Sequence, residues 1–166
     1  KTPQWIKKLG GTAGEYYVAA ELSKRGILNV LLPENIQDDD IMIAKKDSKK
    51  VGFIQVKSCY PKRGKSFPVT TGTIGGNYKQ KPDNQYIIFV WLGDADKNEP
   101  PKYWITTKKE VGHMISEWLE KNPGKESRKL RFGIPEIGQK MGLNVKKEWE
   151  NNWDILKEYK PDKSDI

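Results

Sequence analysis

Four residues of this chain have types and spacing that could do chemistry together: Glu15, Asp40, Gln55 and Lys57. Gln55 and Lys57 lie two apart in "FIQVKSCY", Phe53 to Tyr60. On a strand that spacing puts Phe53, Gln55 and Lys57 on one face and Ile54, Val56 and Ser58 on the other. Asp40 closes the acidic run "QDDD" and opens the apolar "IMIA". If the intervening turn is centred between Asp47 and Ser48, Asp40 lies directly opposite Gln55 on an antiparallel partner, with Cβ atoms about 5 Å apart. Asp38 and Asp39 read as loop residues with solvated carboxylates. In "GGTAGEYYVAAELSKRG", Val18, Ala19 and Leu22 follow Glu15 at helical spacing, which puts Glu15 on the buried face or at its margin. A lone buried carboxylate is costly unless it is paired or binds a metal. It fits either a salt bridge at the core's edge, to Lys57 for example, or a ligand set. Carboxylate and amide oxygens are hard donors that suit Mg²⁺ or Mn²⁺. Glu15, Asp40 and Gln55 around one such cation, with Lys57 near an attacking water or the developing charge on phosphorus, would suit metal-assisted phosphodiester hydrolysis.

These residues need a helix and two strands to position them. The helix is expected over Thr12 to Arg25, preceded by Gly10 and Gly11 and stopped by Gly26. Strands are expected over Asp40 to Ala44 and Val51 to Ser58, joined by the polar turn "KKDSKK". "SFPVTT", Ser66 to Thr71, is a weaker strand in which Pro68 suggests an edge or a bulge. "QYIIFVWL" is apolar on both faces and reads as a central, doubly covered strand; "KYWIT", Lys102 to Thr106, is another. Thr107 and Glu110 then stand in capping-box spacing ahead of Val111, Met114, Ile115, Trp118 and Leu119, and Asn122-Pro-Gly ends that helix. A short helix is expected within Lys146 to Tyr159, packing back on the rest, and "KPDKSDI" should be loose. The order predicts an α/β (α+β) fold with a mixed central sheet flanked by helices, as one domain over residues 1–166, its core about 10–122 and an extension over 123–166.

A helix Glu, an Asp at a strand start and a polar-x-Lys triplet on the next strand resemble the PD-(D/E)xK nucleases, the restriction-endonuclease-like superfamily that includes Holliday-junction resolvases. The matching residues are Glu15 in "GTAGEYYVAAELSKRG", Asp40 in "DDDIMIA", and Gln55 and Lys57 in "FIQVKS". The resemblance covers about the first 60 residues well; later elements fit the αβββαβ layout more loosely. It implies a metal-dependent DNA endonuclease in which the Asp and the triplet's acid bind Mg²⁺ or Mn²⁺, the helix Glu assists and the Lys is catalytic. This chain departs at Gln55, although other members carry Gln-x-Lys. The substitution keeps an oxygen ligand and removes a negative charge, so metal binding should strengthen when a DNA phosphate arrives. It also leaves open a nuclease-like fold that has lost cleavage and serves as a DNA-binding or assembly module.

Composition points the same way without deciding. The 166 residues carry 30 Lys+Arg against 22 Asp+Glu, a net charge of +8. That suits a polyanionic partner or simply a lysine-rich surface. Lys62, Arg63 and Lys65 form a basic loop after the Gln-x-Lys strand; they could hold DNA phosphates without reading sequence, or be solvated. The glycine-rich "TTGTIGGNYKQK" lacks the spacing of a nucleotide-binding loop. His113, the sole histidine, has no catalytic partner in the pattern. Cys59, the sole cysteine, allows no internal disulfide and fits a reducing compartment. The six tryptophans fall mostly in apolar patterns and read as core. No apolar run approaches the roughly 18 residues of a membrane span, and the first residues show no signal-peptide pattern. A cytoplasmic protein is expected, and a homodimer is one arrangement by which such an enzyme cuts both strands.

Overall fold

The computed structural model describes residues 2–34, 38–62, 64–69, 78–125 and 130–166. The long elements in chain order are α1 (Gln4–Lys24), β1 (Leu28–Leu31), β2 (Ile41–Ala44), β3 (Val51–Cys59), β4 (Ser66–Pro68), β5 (Gln85–Trp91), β6 (Lys102–Thr107), α2 (Lys108–Lys121), β7 (Arg131–Gly133) and β8 (Leu143–Asn144). The fold is mixed α+β. Five strands form one sheet in the order β1-β2-β3-β5-β6, and β4-β7-β8 form a second, smaller one. Within the large sheet β3 and β5 are parallel, and the other neighbours are antiparallel.

β5 lies inside the sheet, with Tyr86 to Trp91 all buried. Its side chains feed two apolar clusters, one on each face. Ile88 and Val90 join Val18, Leu22, Ile41 and Ile54 beneath α1. Ile87 and Phe89 join Val111, Ile115, Trp104 and Phe132 beneath α2 and the small sheet. Phe89 stacks on Trp149 with rings 5° from parallel, so the chain beyond α2 supplies part of this second core.

Helix α1 begins at Gln4, not near Thr12, and runs through Gly10 and Gly11. Its glycines serve packing more than punctuation. Gly10, Gly14, Val18 and Leu22 make one buried stripe at four-residue spacing. A Cβ on Gly14 would stand 1.8 Å from Ser58 Oγ, so only glycine lets α1 lie this close to β3. The helix ends as expected at Gly26, whose φ is +73°. Gly26 N–H donates to the Ser23 carbonyl and Ile27 N–H to the Leu22 carbonyl, a Schellman stop. At the start of α2 the Thr107 hydroxyl accepts from Glu110 N–H at 3.1 Å. The Glu110 carboxylate turns instead to the Thr106 hydroxyl and to Lys146.

Other expectations needed correction. β1 was not foreseen: it is a four-residue edge strand whose Leu28 and Val30 are exposed, so it lacks the buried alternation that signals a strand. Of Ser66 to Thr71, Ser66–Pro68 forms a strand that pairs with β7, outside the large sheet, and Thr70 and Thr71 lie outside the described residues. In place of one helix, Lys147–Trp149 and Trp153–Tyr159 form short 3₁₀ segments. The tail is tied down rather than loose. Asp162 and Asp165 pair with Lys45 and Lys46 in the β2–β3 turn. Tyr159 packs over Gly52 and donates its hydroxyl to the Val51 carbonyl at 3.3 Å.

Candidate active site

The site sits where β3 outruns its neighbour. On one side β5 accompanies β3 as far as Cys59, which pairs with Trp91. On the other, β2 supports β3 only up to the Ile41–Ile54 pair. Beyond Ile54 no residue of β2 pairs with β3, and Asp40 stands at the lip of this notch in the sheet. Its N–H donates to the Ile54 carbonyl at 2.9 Å, and its carbonyl accepts from Leu32 N–H at 2.8 Å. Its side chain does a strand's work: Oδ2 accepts the Val56 N–H at 2.7 Å. Three hydrogen bonds therefore fix Asp40, and Val56 occupies only one of its carboxylate oxygens. The Ile41–Ile54 pair is in the register that brings Asp40 alongside Gln55.

Gln55 and Lys57 point to the α2 side of the sheet, in the rows of Ile87 with Thr106 and of Phe89 with Trp104. Gln55 is 4% exposed, and its Oε1 is buried with no hydrogen-bond partner among the described residues. A buried amide oxygen left so is costly, and a cation or a water would satisfy it. Glu15 comes from the opposite face, carried by α1 next to the close approach at Gly14. Asp40 joins the two sides, since it interacts electrostatically with both Glu15 and Lys57. The Glu15–Lys57 salt bridge that the sequence allowed is not formed; Lys57 has no carboxylate within 4 Å among the described residues.

Burial works against every charge in the notch. It pushes the Glu15 carboxyl above its ordinary value, helped by Asp40 and Glu34. It also pushes Asp40 up, although the Val56 N–H and Lys57 pull the other way. It pushes Lys57 down; Asp40 and Asp38 resist, and Lys108 adds to the depression. A bound cation would favour the ionised forms of the two raised acids, Glu15 and Asp40. Among the described residues no three His, Cys, Asp or Glu side chains gather as a ready metal-ligand group. A metal here would therefore rest on two carboxylates and the Gln55 amide, with water or phosphate completing the shell. That donor set fits Mg²⁺, which normally keeps several waters and takes only one or two carboxylates.

Two residues here were not anticipated. Asp39 is buried, not solvated, and forms an ion pair with Lys108 at 2.5 Å; their side chains are 5% and 2% exposed. The sequence did carry a signal. Lys108 opens α2, at the positive end of the helix macrodipole, where an acid is favoured and a cation is not. A lysine is disfavoured there, and the charge of Asp39 answers it.

The basic loop is less free than its sequence suggests. The exposed Lys62 pairs with Asp96 and stands 4.0 Å from Asp94. Lys65 lines a shallow groove with Trp91, Lys97 and Lys102. Arg63 lies outside the described residues. His113 is on the exposed side of α2, 3.3 Å from Glu117. Cys59 is buried and donates its thiol to the Gly64 carbonyl at 2.7 Å.

No protein-family model matches the sequence, and no curated protein does. Among solved structures the chain is similar to a bacterial homing endonuclease, I-Ssp6803I. The identity is 12%, the match covers 91% of this chain and 92% of that one, and the TM-score is 0.48. No helix among the described residues is long and apolar enough to cross a membrane.

Proposed function

We propose that this chain is a metal-dependent DNA endonuclease of the PD-(D/E)xK kind, hydrolysing phosphodiester bonds with metal-activated water. The observation that carries the reading is Gln55. Its amide oxygen is buried and unsatisfied where β3 loses its β2 neighbour, in register with the fixed carboxylate of Asp40. In this reading Asp40 and Gln55 hold Mg²⁺ or Mn²⁺, with Glu15 contributing from α1. When bound, such a cation lowers the pKa of a coordinated water and offsets charge on the phosphate. Lys57 faces the same side as Gln55 and stabilises the attacking water or the negative charge that develops on phosphorus. Water attacks phosphorus directly and the leaving oxygen departs, so no covalent link to the protein forms. The net charge of +8 supports a DNA partner. Lys62, Arg63 and Lys65 would contact phosphates, with Lys62 exchanging Asp96 for DNA. A second copy of the chain would supply the second cut of a duplex.

One feature favours a second reading, a nuclease-like module that binds DNA without cutting it. Gln55 is neutral where the resemblance expects an acid, and no third acid replaces it among the described residues. Incubating linear, nicked and branched DNA with the protein and Mg²⁺ or Mn²⁺ separates the two. The enzyme reading expects cleavage by the wild type and its loss in Asp40→Ala and Lys57→Ala, with DNA binding retained. DNA bound but never cut by the wild type, in either metal, would establish the module instead.

A further inference from the structure

We infer that Lys108 is a positioning residue of this site, acting through Asp39 on Asp40; the inference rests on the functional reading above. Lys108 and Asp39 are the two most buried ionised side chains near the notch, and they face each other at 2.5 Å. A buried ion pair is a poor way to gain stability, because a well-packed apolar pair of similar volume often does as well or better. What this pair supplies is placement. It anchors the segment 38–40 to the first residue of α2, on the face where Gln55 and Lys57 point. The next residue along the chain is Asp40, whose carboxylate must meet Val56 N–H from the lip of the notch.

The pair also keeps Asp39 from standing as an unpaired buried charge beside Asp40, because Lys108 answers it at 2.5 Å.

The test replaces both partners at once, Asp39→Leu with Lys108→Met, so that no charge is left buried alone. Amide hydrogen exchange is read at Val56, which reports the Asp40 contact, and at Ile88, deep in β5. The expected result is exchange about tenfold faster at Val56 with Ile88 unchanged. Cleavage should lose kcat while KM for DNA is kept, and Lys108→Arg alone should retain most of the rate. Unchanged exchange at Val56 would overturn the proposal. So would equal acceleration at Val56 and Ile88, which would mean that the pair contributes only global stability. If the wild type cleaves no DNA, the functional reading fails, but the exchange at Val56 still decides what Lys108 does.

Discussion

The two ends of the β2–β3 hairpin treat charge in opposite ways. At the turn, Lys45, Lys46 and Lys50 each have an acid from the C-terminal tail: Asp162, Asp165 and Glu158. These pairs are mostly exposed and close a short polar loop against the tail. At the open end, Glu15, Asp40 and Lys57 are half-buried and form no ion pair among the described residues, although they feel one another. Opposite charges were available at both ends; the turn pairs all three of these lysines, whereas the open end pairs Asp39 with Lys108 and leaves Glu15, Asp40 and Lys57 out. Burial shifts the titration of all three groups at the open end, the kind of cluster that the proposed site would use.

The contrast can be broken or sharpened by substitution. Lys57→Ala should lower cleavage on the order of 100-fold, the scale of losing one charge-stabilising donor. Its thermal midpoint should not fall, because a lysine depressed by burial contributes no stabilising pair. A matching loss of stability would move Lys57 from chemistry to structure. Next comes Gly14→Ala. The added methyl meets Ser58 Oγ, so α1 must shift away from β3. Overpacking of this kind costs about 1–3 kcal/mol, and adding Ser58→Gly should recover part of it in a denaturant titration.

Asp40→Asn should separate stability from function. The Asp40 carboxyl is raised above its ordinary value, so the folded protein binds that proton more tightly than the unfolded chain does. Its stability is therefore highest below the unfolded pKa and declines as pH rises through the folded one. Glu15 shifts in the same direction. These two carboxyls should therefore raise the melting temperature of the metal-free protein as pH is lowered from neutral toward the carboxylate range, against the opposite contributions of Glu110 and Asp96. Asp40→Asn should raise the neutral-pH melting temperature and flatten that dependence, while abolishing cleavage. A lower melting temperature at neutral pH would contradict the assigned shift. The smallest effect is expected at the turn. Lys50→Ala removes an exposed pair, so melting and cleavage should both match wild type within error. A clear loss of cleavage there would dissolve the contrast between the two ends.

The parts of this molecule that were legible in the sequence are those specified locally. Alternation in "FIQVKSC", the doubly apolar "QYIIFVW", the glycine stop at Gly26 and the Thr107 cap each follow from a few neighbouring residues. The register past Ile41 and Ile54 follows from the centre of a short turn. The buried Asp39–Lys108 pair was legible only on the side of its lysine, a cation at a helix start; the acid was not, because "DDD" resembles a solvated loop until a lysine far along the chain folds onto it. Nor was the small sheet: its strands run two or three residues, too short for any alternation to register. The 3₁₀ segments near the end share the helical spacing of their apolar residues, so Trp153, Leu156 and Tyr159 could be read as core but not as one helix.

The parallel pairing of β3 with β5 has a consequence for the order in which the molecule can be made. A parallel pair needs a long crossover before it can close, and such pairings form slowly. The residues of the notch are also strung from Glu15 in α1 to Lys108 at the head of α2. During synthesis the helix and the β2–β3 hairpin emerge first, and domains generally fold as units as the chain is released. Until β5 has docked and α2 has delivered Lys108, a nascent chain carries every acid of the site but not the arrangement. The proposed site therefore cannot assemble before the chain through Lys108 has left the ribosome.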